Sequence, residues 1–316
     1  MFARKFLSDI NQASLLQCIF FLAAMSIFFA INSPVFITQV NIMNILTASS
    51  VIGLMAVGAT FVIAAGSIDL STAATMALSS VVTAWTVQNL HVSGLESIGI
   101  ATAVGGLCGL ATGLLINLTR APSFIITLGM LSINRALAFI LTGGIPIYGL
   151  EERVTKIADT TWCGLSFPAA VMLLGMLLAY LLLTRTKFGA HTLLLGDNPQ
   201  ASEAMGLQVS RLRLAIFSLA GCFSGLAGFI FMARTNSGDP SAGMNYELIA
   251  ITAVVLGGAN LFGGRAAIPG TLAGILCLGV LQNGLNLMAI STFYQTLFVG
   301  VVLVLASFLR RLGPNQ

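Results

Sequence analysis

Apolar and polar positions in this chain alternate on the scale of whole helices, not of single strands. Ile10 to Ile68 is a run of 59 residues without a charge, and Ala266 to Leu309 is another of 44. One helical crossing of a ~30 Å hydrocarbon layer takes about 20 residues, so each run must hold more than one crossing. Neither run has the alternation, about ten residues per segment, that marks barrel strands. In lipid every backbone amide needs an internal partner, which leaves a polytopic helical bundle of all-α class. Apolar windows predict about ten transmembrane helices: Leu15 to Ile31, Ile45 to Ala65, Thr72 to Leu90, Ile98 to Ile116, Ser123 to Thr142, Phe167 to Leu183, Leu214 to Ala233, Leu248 to Leu261, Ile268 to Met288 and Phe293 to Phe308. The whole chain, 1–316, reads as a single membrane domain.

Polar intervals set the orientation. The longest, 185–213, is bracketed by Arg185, Lys187, Arg211 and Arg213, and its Asn-Pro start followed by Ala201 to Met205 predicts a short amphipathic helix outside the bilayer. With the N-terminus inside, ten cations (Arg4, Lys5, Arg120, those four, Arg265, Arg310 and Arg311) fall on the cytoplasmic side, against Arg153, Lys156 and Arg234 outside. Lys/Arg bias fixes topology in this sense, so both termini are expected in the cytoplasm. The segment Gly143 to Ser166 becomes the longest external loop. Met1 to Ala30 has the basic start and apolar stretch of a signal peptide but no convincing cleavage site, and reads as an uncleaved first span.

Composition agrees: 57% of residues are apolar and only 8% charged, where soluble domains carry about 25%. The net charge of +4 resides in loop cations and needs no nucleic acid to explain it. The five cysteines, Cys18, Cys108, Cys163, Cys222 and Cys277, are scattered without a close pair, which supports neither a disulfide framework nor a zinc site.

Two glycine-containing interruptions, Ala65 to Ser71 around Asp69 and Gly257 to Arg265 around Gly258, break the hydropathy in the two halves of the chain. Such paired breaks are the usual trace of an internal inverted repeat with broken helices. Small residues at Gly105, Gly109 and Gly113, at Gly221 and Gly225, and at Gly270 and Gly274 are spaced to let helices approach closely.

Chemistry is sparse. No G-x-x-x-x-G-K-[ST] occurs, so this chain is not itself an ATPase, and neither H-E-x-x-H nor G-x-S-x-G is present. Ionisable residues in or near the membrane are expensive and mark a pathway or a partner. Asp69, with Ser71 beside it, reads as a helix N-cap or a path residue. Arg135 reads as a snorkelling or paired cation or a substrate contact. Gln282, Asn283 and Asn286 place amides one turn apart on one helix face, where they bond a neighbouring helix or line an aqueous passage. A path of neutral amides suits an uncharged polyhydroxylated solute, and a single candidate buried carboxylate weakens ion coupling. The rival is an ion-coupled secondary carrier or channel for a small polar solute.

Several stretches resemble one family: Gly58 to Ser71; Pro122 to Gly129 with Arg135-Ala-Leu and Leu141 to Gly144; Thr186-Lys-Phe-Gly189; Gly196-Asp-Asn198 with Ala204-Met-Gly206; Ala250 to Gly258 with Gly263-Gly264-Arg265; and Gln282 to Asn286. In this order they are similar to the permease subunits of bacterial ABC importers of the ribose, xylose, galactose and autoinducer-2 type, over Ile42 to Arg310. The chain departs from the family at Ser67, at Ala190 and at Phe262 and Ala266. The resemblance implies import of a sugar or sugar-like polyol through the bacterial inner membrane. It implies a second permease subunit, identical or related, separate ATPase subunits that carry ATP and Mg²⁺, and an external sugar-binding protein. It makes 185–213 a coupling loop whose Gly196, Asn198, Glu203 and Gly206 meet the ATPase.

Overall fold

The computed structural model describes residues 2–291 apart from 163, together with 293–295, 297, 298, 300 and 301, with side chains from Leu15 onward. In chain order the elements are α1 (Phe2–Asn32), α2 (Gln39–Ala64), α3 (Thr72–Leu90), α4 (Gly94–Thr119), α5 (Ser123–Thr142), β1 (Ile147–Tyr148), α6 (Glu152–Asp159), β2 (Thr161–Trp162), β3 (Leu165–Ser166), α7 (Phe167–Arg185), α8 (Lys187–Asp197), α9 (Pro199–Ala204), α10 (Val209–Thr235), β4 (Ser237–Gly238), α11 (Tyr246–Leu256) and α12 (Ile268–Leu287).

Local chemistry sets the helix ends. Thr38 Oγ1 accepts the Asn41 N–H at 3.3 Å to start α2, and a reciprocal Ser93/Glu96 capping box starts α4. The two predicted breaks are built alike. At the end of α2, Gly66 (φ +71°) donates to Ile63 O and Ser67 to Val62 O; at the end of α11, Gly258 (φ +102°) donates to Val255 O and Ala259 to Val254 O. Both are Schellman closures, which need a residue at positive φ, and glycine supplies it without a Cβ penalty.

α2 is the central helix. It is apolar all round, the pattern of a helix with no solvent face, and is buried almost completely from Val51 to Ala64. α10 packs on α4 backbone to backbone: a Cβ at Gly105 would lie 2.2 Å from Gly221 O, and one at Gly225 would lie 2.1 Å from Ala101 O. α12 meets α11 in the same way, with Gly274 against Ala253 O and Gly270 against Gly257 O. The predicted small-residue ladders are therefore helix contacts, and small residues are what lets helices gain dispersion contact where lipid is as apolar as leucine.

The polytopic helical bundle stands, with differences in count. Among the described residues seven helices, α1, α2, α4, α5, α7, α10 and α12, are long and apolar enough to cross a membrane. α3 is long enough, but its serines and threonines make it more polar, and its neighbours shield it. The predicted crossing Leu248 to Leu261 is corrected to α11, 11 residues or about 16 Å, because the Gly258 closure stops the helix after Leu256. The predicted tenth crossing, Phe293 to Phe308, lies mostly outside the described residues, as do Cys163, Arg310 and Arg311. Gly143 to Ser166 is no plain loop. It holds α6, whose Val154 and Ala158 are buried, β1, which pairs with β4 after α10, and a β2–β3 pair. Glu151, just before α6, binds His91 Nδ1 at 2.6 Å and pairs with Arg153, whose guanidinium also donates to His91 O at 2.6 Å. Cys18 and Cys277, far apart in sequence, place their buried thiols 3.4 Å apart between α1 and α12.

Candidate functional site

Two features lie at opposite ends of α2. The first is a junction of two glycine turns with a helical glycine, Gly196. Thr186 caps α8, its Oγ1 accepting the Gly189 N–H at 3.3 Å, and Phe188 anchors the helix on the Phe61 ring with centroids 5.9 Å apart. A Cβ at Gly189 would sit 2.1 Å from Leu183 O, so only glycine lets α8 fold back on the end of α7. α8 then delivers Gly196 against the end of α2, where a Cβ would lie 1.9 Å from Ala64 O and 2.6 Å from Gly264 N. The second break closes the junction: Gly264 donates to Ala64 O at 3.0 Å, and Gly263, at φ +95°, lies against both Gly196 and Gly66. Asn260 braces this turn, its Nδ2 donating to Gly263 O at 3.1 Å. The two hydropathy breaks and the polar interval, read separately from sequence, are thus one backbone-to-backbone contact.

Beyond the junction the chain turns outward. Asn198 is the N-cap of α9, its Oδ1 accepting the Ala201 N–H at 2.9 Å, and Gly206 (φ +83°) closes α9 as its N–H meets Glu203 O at 2.9 Å. Asn198, Glu203, Met205 and Gly206 are all exposed, while Ser202 is buried beneath them. The helix predicted over Ala201 to Met205 is therefore present, shifted to Pro199–Ala204. α8 and the exposed, apolar Phe262 add to this surface without a separate signal in the sequence.

The second feature is a cavity of about 260 Å³ where α2, α11, α12 and the last turn of α10 meet, near the α6 end of the bundle. Gln282, Asn283 and Asn286 of α12 face it across from Asn44, Thr47 and Ser49 of α2, with Arg234 at one side. The α12 amides line this cavity, and Asn283 also bonds the neighbouring helix. Asn283 and Asn41 exchange two amide hydrogen bonds of 2.9 Å, locking α12 to α2, and Asn286 Oδ1 accepts Gln295 Nε2 at 2.7 Å. Gln282 has no protein partner among the described residues. The buried Ser49 hydroxyl is also without one and points at Gly279, where a Cβ would lie 2.3 Å from its Oγ. A buried polar group left unpaired is costly, and the Ser49 hydroxyl is such a group at the wall of this cavity.

Asp69 and Arg135 lie apart from this cavity. Asp69 is not the N-cap of α3; Ser71 is. The Asp69 Oδ1 accepts the Ser71 N–H at 2.8 Å and its hydroxyl at 2.6 Å, closing a tight turn before the helix. Arg135 clamps the loop between β4 and α11, donating through Nη1 to Pro240 O at 2.8 Å and Ala242 O at 2.7 Å, with Glu247 and Asp239 attracting it. The α2 side of the cavity was readable as a polar stripe, Asn41, Asn44 and Thr47, inside a charge-free run.

Seven helices long and apolar enough to cross a membrane, packed around a polar cavity, fit the class of multi-pass membrane transport components. The chain belongs to the family described as branched-chain amino acid transport system / permease component, whose model matches residues 41–307. It is 40% identical over 288 residues to the ribose import permease protein RbsC of Bacillus subtilis, covering 89% of this chain and 88% of that one. It is 37% identical to the L-arabinose ABC transporter permease protein AraH of Azospirillum brasilense (91% and 84% covered) and 33% identical to the D-allose transport system permease protein AlsC of Escherichia coli (93% and 90%). No solved structure matches the chain.

Proposed function

We propose that this chain is the transmembrane subunit of an ATP-driven sugar importer, that the cavity between α2 and α12 is part of its path, and that α8–α9 is where ATP hydrolysis is felt. The observation that carries this reading is that one helix, α2, bears the amide-lined cavity near one end and the glycine junction at the other. At 1.5 Å per residue Ile52 and Ala64 are about 18 Å apart. A lining of amides and hydroxyls, with the Arg234 guanidinium at one side, can exchange hydrogen bonds with a polyol as its hydration shell is removed. Among the described residues it offers no carboxylate to hold a coupling ion.

The relatives' names favour ribose, arabinose and allose as the solute class. The parts of the complex follow from the same kinship: ATPase subunits carrying ATP and Mg²⁺ against Asn198, Glu203 and Gly206, a second permease subunit, and an external sugar-binding protein. The α8–α9 segment, bracketed by Arg185, Lys187, Arg211 and Arg213, is assigned to the cytoplasm of a bacterial inner membrane, with both termini on that side. Asp69 and Arg135 then serve the path by fixing the break after α2 and the loop before α11.

The test is sugar uptake by vesicles holding the permease with its ATPase and binding protein. Gln282→Leu should lower uptake with ATPase association intact, whereas changing Glu203 and Gly206 should release or uncouple the ATPase. Accumulation of solute by the chain alone on an ion gradient would overturn the reading.

A further inference from the structure

At the α8–α9 end lies a second cavity, of about 420 Å³, that the sugar path does not use. Three separate segments build it: Gly66 and Ser67 of the break after α2, Arg120, Pro122 and Ser123 of the α4–α5 turn, and Arg213 from the first turns of α10. Two guanidiniums and no carboxylate line it. Arg213 is held in place, its Nη1 donating at 3.1 Å to Asn117 Oδ1, while Asn117 Nδ2 donates to Ser210 O at 2.8 Å. Arg120 sits in the left-handed region (φ +54°) as the C-cap of α4, an uncommon place for a bulky residue. Its guanidinium has no ion-pair or hydrogen-bond partner among the described residues.

Donors other than the arginines converge there. α5, a 20-residue helix, begins at Ser123 behind Pro122, which supplies no side-chain acceptor; the Ile125 N–H turns back to Pro122 O at 3.1 Å, and the Ser123 and Phe124 N–H groups and the positive end of the dipole carry no side-chain cap. Ser123 Oγ accepts the Ile68 N–H at 3.2 Å and keeps its own proton to donate. Planar guanidiniums, hydroxyls and an open helix start are a donor set that matches a tetrahedral oxyanion.

We propose that this cavity binds a phosphate group, either the headgroup phosphate of an anionic phospholipid or free phosphate. Basic pockets between transmembrane helices on the cytoplasmic side are suited to such headgroups, and that side is the one assigned above to α8–α9. The bound anion ties the break after α2 to α5 and α10. Because Gly66 also abuts Gly196 and Gly263, the anion stiffens the seat of the α8–α9 segment.

The purified full-length chain in neutral detergent micelles is titrated with phosphatidylglycerol and, in parallel, with sodium phosphate at constant ionic strength, following thermal unfolding. A saturable rise in unfolding temperature is expected in at least one arm. A rise with the lipid alone identifies a headgroup site, and an equal rise with phosphate identifies a free-anion site. Arg120→Gln, which removes no internal bond, should raise the half-saturating concentration about tenfold, the effect of losing one charge-assisted bond. Arg213→Gln should do the same, while Arg211→Gln, outside the cavity, should leave it unchanged. No rise in either arm, or equal titrations for the wild type and both cavity variants, overturns the proposal.

Discussion

Gly196→Ala should pull the α8–α9 segment off the bundle. The added methyl would sit 1.9 Å from Ala64 O, where ordinary contact begins at 3.4 Å, so the two backbones must part by about 1.5 Å. No side chain can rotate to relieve this, since the nearest atoms belong to Ala64 and Gly264 backbone. Overpacking of this kind costs about 1–3 kcal/mol. The Gly264–Ala64 hydrogen bond, now 3.0 Å, would be stretched with it and adds about 1 kcal/mol. The assay pairs thermal unfolding of the purified permease with co-purification of its ATPase and sugar-stimulated ATP hydrolysis. Gly196→Ala should unfold several degrees lower and lose stimulation even where the protein survives. Gly206→Ala is the contrasting variant. No atom lies within 4 Å of its added methyl, so only the positive φ is strained, about 1–2 kcal/mol confined to the end of α9. Its bundle should stay nearly as stable as the wild type. If Gly196→Ala unfolds and couples like the wild type, the junction is not what seats the segment.

Other expectations follow from single contacts. Arg135→Gln removes two charge-assisted bonds to Pro240 and Ala242 carbonyls and should cost about 2–4 kcal/mol of stability, with lysine restoring part of it, as read by thermal unfolding. Asn283→Ala breaks the reciprocal amide pair with Asn41 and should lower both unfolding temperature and uptake, whereas Gln282→Ala should lower uptake alone. Glu151 is held below the usual carboxylate range by hydrogen bonds first from His91 and then from Arg153. A depressed folded pKa gives stability that is present above the unfolded value, about 4.3, and lost as pH falls through the folded one. Hydrogen exchange over α6 should therefore quicken on acidification below about pH 4, and Glu151→Gln should abolish that step.

The bundle was legible because its signals are long-range in sequence: charge-free runs, cation placement and small-residue spacing all survive without coordinates. α11 was read too long because hydropathy continues through Val255 to Leu261, and only the positive φ of Gly258 ends the helix. α8 was overlooked because its polar start and apolar Leu193 to Leu195 resemble a loop returning to the membrane, while its support comes from Thr186, Phe61 and the end of α7. The amides of α12 were readable as a face, but their partners on α2 required knowing which helices touch. Arg120 and Arg213 counted as topology markers, and their convergence with Ser67 and Ser123 depends on three segments meeting. The packing of Arg135 against two carbonyls likewise has no local signature.

The glycine junction carries a practical corollary for building hybrids. Its contacts at Gly66, Gly196 and Gly263 are backbone contacts, so they impose little side-chain vocabulary on the segment that docks there beyond Asp197, which lies against Gly264. A stretch spanning 187–206 from another permease should seat in this bundle so long as it brings glycine at the positions of Gly189 and Gly196 and an aromatic ring at that of Phe188. The exposed residues of α9, with Met205 beside them, would then travel with the graft and carry the choice of ATPase into a foreign host.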